Sequence, residues 1–184
     1  MSLRALVGLT AATMLTGLGI QTASAQATRP KAPIYGVTVD DVSNINAIVA
    51  SLTHLPYKPT VRVVFDPGTT AAQYYPALVK LHAVAYVMGE IMDSYYFPSD
   101  LQTYTDRTNE LVGTLKNVVD VWEIANEING EWLRTDPTGP NSVAASEEQD
   151  IGNMVAAAHD IVKAAGGLTA VTMYYNDDGK GNNC

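Results

Sequence analysis

Cysteine is almost absent from this sequence of 184 residues, because the single cysteine, Cys184, is also the last residue. One cysteine cannot form an intrachain disulfide, and it cannot assemble a thiolate metal cluster. The fold therefore has to be stable without covalent cross-links or a cysteine-bound metal ion.

Basic residues are also few: 11 Lys and Arg stand against 19 Asp and Glu, which gives a net charge of −8. Proteins that bind nucleic acid or anionic membranes need clustered cations that displace counterions. We therefore expect no nucleic acid and no membrane as a partner of the mature protein. The acidic balance is compatible with a neutral ligand such as a sugar. A hydrophobic content of 47% with 16% charged residues is typical of a globular domain.

Long apolar runs are missing except at the N-terminus. Arg4 supplies a positive charge, residues 5–20 are apolar and small, and residues 23–25 read Ala-Ser-Ala, which is typical of a cleavage site. We predict a signal peptide over residues 1–25, then a leader over residues 26–33, and export to the periplasm or the cell exterior. A membrane anchor is the alternative, but the run is short and rich in Gly, Ala and Thr.

The remainder of the chain alternates between strand and helix patterns. Predicted strands cover residues 34–39, 60–65, 83–88, 118–124 and 168–175, and helical patterns lie between them near residues 45–52, 70–81, 100–118 and 151–165. Strict alternation predicts a parallel sheet with right-handed crossovers. Two architectures fit: an open doubly wound sheet and part of a (β/α)8 barrel.

The ends of the predicted strands favour the barrel. No Gly-x-Gly-x-x-Gly or Walker-type loop follows the first strand, which weakens a nucleotide-binding sheet. Polar or acidic residues end nearly every strand, as in a barrel with its site at the C-terminal rim; they are Asp40, Asp66, Glu90, Glu127 and Asn176. We predict an α/β domain over residues 34–178, a partial (β/α)8 barrel of about five parallel strands and four helices, with a polar tail at residues 179–184.

The prediction of function rests mainly on residues 118–132, which read V-V-D-V-W-E-I-A-N-E-I-N-G-E-W. The stretch begins as an apolar strand and delivers Asn126 and Glu127 at its C-terminal tip. Period-two alternation places Glu123 and Glu127 on one face and Asn126 on the other. A carboxyl group at a strand tip can protonate a leaving oxygen if its environment raises its pKa. A solvated Glu at the start of a loop is the simpler alternative.

The stretch Trp-Glu-Ile-Ala-Asn-Glu on the fourth of several parallel strands resembles the acid/base signature of the retaining (β/α)8-barrel glycoside hydrolases, the clan of cellulases and mannanases. The resemblance covers roughly residues 34–178. It implies that Glu127 is the general acid/base and that Asn126 hydrogen-bonds the sugar 2-hydroxyl. It also matches Arg62 to the arginine often found on the second strand, and Tyr174 or Tyr175 to a residue that ends the fifth strand.

The resemblance implies further that the substrate is an oligo- or polysaccharide and that no cofactor or metal is needed, since two carboxylates suffice. Trp132, in the loop after Glu127, is a candidate platform for stacking on a sugar ring. Trp122 lies in mid-strand and is expected in the core. Arg62 could contact a carboxylate of the site or pair with Glu123.

One departure from the family pattern is large. The clan places its nucleophile at the end of the seventh strand, and a complete barrel needs about 250 residues, more than the 184 present. Glu90 and Asp93, at the tip of the third strand, are poor substitutes for that nucleophile. We therefore expect this chain to represent the N-terminal part of a glycosidase, inactive by itself and with two open sheet edges.

Two alternatives remain open from the sequence. One is a non-catalytic carbohydrate-binding protein or pseudo-enzyme that lacks the nucleophile strand. The other is an unrelated open α/β sheet that binds a small ligand, for which Glu127 would be buried beneath a helix. The three histidines fall in or beside helices and are expected at surface or packing positions; they are His54, His82 and His159.

Overall fold

The fold is seen in a computed structural model, which describes residue 30 and residues 34–96, 100–128 and 145–174. Five strands alternate with four helices, as the sequence pattern predicts. The elements are β1 (Gly36–Val39), α1 (Ile45–Leu52), β2 (Thr60–Val64), α2 (Ala71–Val84), β3 (Tyr86–Glu90), a 3-10 helix (Ser94–Tyr96), α3 (Leu101–Leu115), β4 (Val121–Asn126), α4 (Ala145–Ala164) and β5 (Leu168–Thr172).

The five strands form one parallel sheet in the order β1-β2-β3-β4-β5, so each strand lies beside its neighbours in sequence. A doubly wound sheet reverses its strand order near the middle, and no reversal occurs here. Each helix also packs against the next one along the chain. The four helices therefore lie side by side in a single layer, and the open doubly wound alternative is wrong.

Strand alternation gives this sheet two different faces. On β2, β3 and β4 the face toward the helices is apolar and buried, and Trp122 packs there with its ring centroid 6.4 Å from that of Phe65. Trp122 is 1% exposed, so its predicted place in the core is confirmed. The opposite face carries ionisable side chains on three adjacent strands, as described below.

Several boundaries differ from the prediction by a few residues. The third strand begins at Tyr86 rather than at residue 83, because α2 continues through Val84. The fourth begins at Val121, since Val118 and Val119 belong to the buried turn after α3. Helix caps account for the clearest limits: Thr70 and Gln73 form a reciprocal capping box at α2.

Asp120, just before β4, connects the N-terminal end of the sheet to helix α2. Its Oδ2 accepts the Val87 backbone N–H at 2.8 Å, and its Oδ1 lies 3.2 Å from His82 Nε2. Asp120 is 1% exposed, and both of its carboxylate oxygens therefore have partners as buried polar groups require. The partly exposed His82, predicted at a surface or packing position, therefore links α2 to the start of β4 through a polar contact.

β1 and β5 are the two edges of the sheet. Apolar side chains are exposed at both: Val37 is 47% exposed beside β2, and Val171 is 43% exposed on β5. An open parallel edge with apolar side chains is a surface to which another strand can add.

Candidate functional site

Three ionisable side chains on adjacent strands form the centre of the site. Arg62 lies on β2, Glu90 ends β3 and Glu123 lies on β4; Arg62 aligns with Met88, and Glu90 aligns with Glu123, in the ladders that join these strands. Side chains at such positions share one face of the sheet, the face away from the helices. The side chains of Glu90 and Glu123 have no exposed surface, and that of Arg62 is 23% exposed.

Arg62 holds Glu123 in a two-point contact. Its Nε donates to Glu123 Oε2, and its Nη2 donates to Glu123 Oε1 at 3.1 Å. The planar guanidinium matches the two carboxylate oxygens, which makes this the stronger kind of ion pair. The predicted pairing of Arg62 with Glu123 is thus observed, while its predicted role toward a ligand stays a prediction.

Glu90 contacts the same guanidinium in a different way. Its Oε2 lies 2.8 Å from Arg62 Nη2, but without hydrogen-bond geometry, and neither Glu90 oxygen hydrogen-bonds to any described residue. Burial, reinforced by the charge of Glu123 and opposed by Arg62, raises the pKa of Glu90 to about 8. At neutral pH Glu90 is therefore largely a neutral carboxylic acid, and Glu123 carries the negative charge that balances Arg62.

Arg62 stays charged in this setting. Burial lowers the pKa of Arg62, but the hydrogen bonds and charge of Glu123, with smaller effects of Glu90 and Asp93, outweigh it and the net change is upward. The cluster thus contains a permanent cation beside one anion and one proton-bearing acid.

Asn126 is joined to this cluster. Its Nδ2 donates to Glu123 Oε1 at 3.1 Å, and its Oδ1 accepts the Ser94 backbone N–H at 3.4 Å. The prediction that Asn126 and Glu123 occupy opposite faces of the strand is wrong. The reason is a β-bulge: Glu123 pairs with Ala170 and Ala125 with Val171, so Ile124 has no partner on β5 and the alternation shifts by one residue.

Tyr104 of α3 completes the bulge from the helix side. Its hydroxyl donates to the Ile124 carbonyl oxygen, and the Tyr104 side chain is fully buried. Burial raises the pKa of Tyr104, with further contributions from Glu90 and Glu123, so the hydroxyl keeps its proton and remains a donor. The backbone group of the unpaired residue is thus satisfied, as a buried carbonyl requires.

Glu127 follows β4 directly and is half-buried. Its Oε2 accepts from Ser94 Oγ at 3.3 Å, and its backbone N–H donates to Thr172 O at 2.8 Å. Its φ of 52° makes it the one described non-glycine residue in the left-handed region. Such a conformation costs about 1 to 3 kcal/mol and is concentrated at functional positions.

This strain gives a stability prediction. We expect Glu127→Gly to raise the free energy of unfolding by about 0.5 to 1 kcal/mol, because glycine adopts positive φ without a Cβ clash. Urea unfolding measures the change. Glu148→Gly, at an exposed position inside α4, is the matched control and should lose about 1 kcal/mol. A loss of stability in both variants would contradict strain at Glu127.

The other predicted site residues are distributed as follows. Tyr174 lies half-buried just past the end of β5, so it shares the C-terminal edge of the sheet with Glu127. Trp132, Tyr175 and Asn176 lie outside the described residues. The Tyr74 hydroxyl donates to the Asp66 carboxylate at 3.2 Å, and the Asp66 backbone carbonyl accepts from Arg107. Asp66 therefore has a structural role.

Sequence reasoning missed Ser94 and Tyr104 and dismissed Glu90. Glu90 was detectable, because charged residues at facing positions of three adjacent strands must meet once the strands are aligned. Ser94 and Tyr104 carry no comparable signal. In the part of the chain that the structure describes, no group of three or more His, Cys, Asp or Glu is arranged to hold a metal ion.

The chain matches no protein-family model and no curated protein sequence. Within residues 34–96, 100–128 and 145–174, none of the helices has the length and apolar character required to cross a bilayer. Fold and site together define an α/β protein whose parallel sheet presents a cluster of acidic, basic and amide side chains near the C-terminal ends of its strands.

Proposed function

We propose that this chain carries the acid/base half of a retaining glycoside hydrolase site, with Glu127 as the general acid/base and an oligo- or polysaccharide as the substrate. The single observation that carries the proposal is the placement of Asn126 and Glu127 at the C-terminal end of β4. There Asn126 contacts Glu123 of the same strand, which pairs with Arg62 of β2, and Glu90 of β3 lies 2.8 Å from the same guanidinium.

The architecture supports a partial (β/α)8 barrel as the setting. Five sequential parallel strands with one layer of helices have the winding of such a barrel. The face that would line the barrel interior is the one that carries Arg62. Parallel barrels of this kind use the C-terminal ends of several strands for catalysis.

The reaction follows from the chemistry of two carboxyl groups. Glu127 gives its proton to the glycosidic oxygen as the bond from that oxygen to the anomeric carbon breaks. A second carboxylate bonds to the anomeric carbon and forms a glycosyl ester. Glu127, now ionised, takes a proton from the water that attacks the same carbon, and the second carboxylate leaves.

The second carboxylate has to lie about 5 Å from the acid. Glu90 and Glu123 do not suit this role, because both are fully buried and both contact Arg62. None of the other described residues is a good candidate either by the family pattern. The proposal therefore expects the chain by itself to bind a sugar without cleaving it.

The same observation favours a second candidate function, a non-catalytic carbohydrate-binding protein derived from such an enzyme. In that case Asn126 and Arg62 would serve binding only, and Glu127 would have no catalytic role. Both candidates share the sugar ligand and differ in turnover.

The variant Glu127→Gln tests the proposal, with the exposed Glu148→Gln as the matched control. We expect Glu127→Gln to leave the Kd for cello- and manno-oligosaccharides within about threefold, because an amide keeps the shape of the carboxyl group. In the protein as its own organism produces it, aryl glycoside hydrolysis should fall by about 10²- to 10⁴-fold. Calorimetry and aglycone release provide the two measurements.

The outcomes separate the candidates. Unchanged hydrolysis in Glu127→Gln would refute the assignment of Glu127. Sugar binding without hydrolysis in the natural wild-type protein would support the binding function instead. A wild-type protein that binds none of these sugars would contradict both.

We also propose that the protein is exported, on the basis of the signal-like residues 1–25. The mature protein is then expected outside the cytoplasm with Gln26 as its first residue. N-terminal sequencing of the protein from its own cells checks this. A protein that retains Met1 in the cytoplasmic fraction would contradict export.

A further inference from the structure

We propose that Glu123 and Glu90 are positioning residues for Asn126, the side-chain amide proposed to bind the sugar. Glu123 sets the orientation of Asn126, and Glu90 keeps Arg62 bound to Glu123. This inference rests on the proposed function for the identity of the ligand. It assigns roles to two glutamates that the acid/base chemistry itself does not use.

The orientation of Asn126 follows from its partners. An ionised Glu123 only accepts hydrogen bonds, so the group that faces it at 3.1 Å has to be the NH₂ of Asn126. The Asn126 oxygen then faces the Ser94 backbone N–H, which is a donor. One Nδ2 hydrogen is used by Glu123, and the second is the donor that the proposed function assigns to a sugar hydroxyl.

The ionised state of Glu123 depends on how three groups share one proton. Glu90 and Glu123 are aligned neighbours on adjacent strands, and both reach Nη2 of Arg62. Two buried carboxylates cannot both be charged beside one cation without a large cost. The two-point contact with Arg62 favours the charge on Glu123, and Glu90, which makes no hydrogen bond to the described residues, carries the proton.

Loss of that proton changes the cluster. The charges near Glu90 are Arg62, Glu123, Asp93 and Asp40, with the Tyr104 hydroxyl on the helix side. Once Glu90 is ionised, it competes with Glu123 for the guanidinium. The hold on Glu123 weakens, and the bond from Asn126 to Glu123 changes with it.

The bulge at Ile124 makes this coupling possible. Without the extra residue, Asn126 would lie on the opposite face from Glu123, as regular alternation predicts. Tyr104 stabilises the bulge through the Ile124 carbonyl. The positions of Asn126 and its support are therefore set by the same irregularity of β4.

The test follows the side-chain amide resonances of Asn126 in the ¹⁵N-labelled mature chain without sugar, between pH 6 and pH 9.5. In the wild type these resonances should move with a midpoint near 8, the pKa of Glu90. Glu90→Gln, which resembles the neutral acid, should keep the low-pH positions throughout. Glu123→Gln should displace them at every pH, and the exposed Glu148→Gln should behave as the wild type does.

Titration of the same samples with oligosaccharide measures whether the orientation of Asn126 affects sugar affinity. Glu123→Gln is expected to weaken the affinity about tenfold, and Glu90→Gln should preserve it at pH 9, where the wild type weakens. The proposal is overturned if Asn126 is unaffected by Glu123→Gln, if Glu90→Gln titrates as the wild type does, or if affinities stay equal despite moved resonances. Absence of sugar binding in every sample, with the resonances as expected, would refute the proposed function alone.

Discussion

Arg62→Met is expected to lower the free energy of unfolding by about 3 to 5 kcal/mol, because it leaves the one negative charge of the buried pair Glu90 and Glu123 without its cation. Methionine retains much of the arginine stem, so the loss measures charge compensation more than packing. Urea unfolding of the mature chain at pH 7 gives the value. Lys116→Met, at an exposed position at the end of α3, is the matched control and should change stability by less than about 0.5 kcal/mol.

A triple variant distinguishes loss of charge compensation from loss of packing as the cause of this destabilisation. Replacing Arg62, Glu90 and Glu123 together with apolar residues of similar volume should recover most of the stability, because no buried charge then remains. A triple variant as unstable as Arg62→Met would show that packing around the guanidinium matters more. Equal unfolding midpoints for Arg62→Met and the wild type would contradict the ion cluster itself.

Removing the proton of Glu90 should destabilise the fold as the pH rises. The pKa of Glu90 is about 8 in the folded protein, above its usual value of 4.5 in the unfolded chain. Below pH 4.5 both states hold the proton, and the favourable contribution is complete. Between pH 4.5 and 8 only the folded state holds it, so stability falls by about 1.4 kcal/mol per pH unit and levels off above pH 8.

The Glu90→Gln variant isolates this effect, because its amide does not titrate. We expect the wild type to lose about 3 to 5 kcal/mol relative to Glu90→Gln between pH 4.5 and pH 8. Unfolding by urea at pH 5, 6, 7 and 8 measures the difference between the two. Glu110→Gln serves as the control, since Glu110 is partly exposed and its pKa is lowered rather than raised. Burial raises the pKa of Glu110, but the hydrogen bond from the Ala71 N–H and the contact with Arg107 more than offset this. A difference between wild type and Glu90→Gln that is constant with pH would contradict a buried, protonated Glu90.

The expected effects of Arg62→Met and Glu90→Gln and the role of Asn126 depend on one arrangement of side chains. Three strands deliver Arg62, Glu90 and Glu123 to the same face, and the bulge adds Asn126 to them. A cluster that is costly to bury and strongly coupled is rarely useful for stability alone. Its position beside Glu127, which is itself in a strained conformation, is the physical reason to assign it to function.

The sequence by itself determined the alternation of strands and helices, because apolar periodicity of two or 3.6 residues is a local property that each segment carries. It also determined that Trp122 is buried and that Asn126 and Glu127 close a strand. These conclusions needed only neighbours along the chain and the rule that parallel strands end at one edge.

The tertiary structure alone decided the order of the strands, the single helix layer and the partners of Arg62. It also decided that Asn126 shares a face with Glu123. A bulge depends on how β4 aligns with β5 and on the hydroxyl of Tyr104 in α3, which lies 20 residues before Ile124 in the chain. Likewise the proton on Glu90 depends on burial and on charges brought by other strands, which no stretch of sequence specifies until the sheet has assembled.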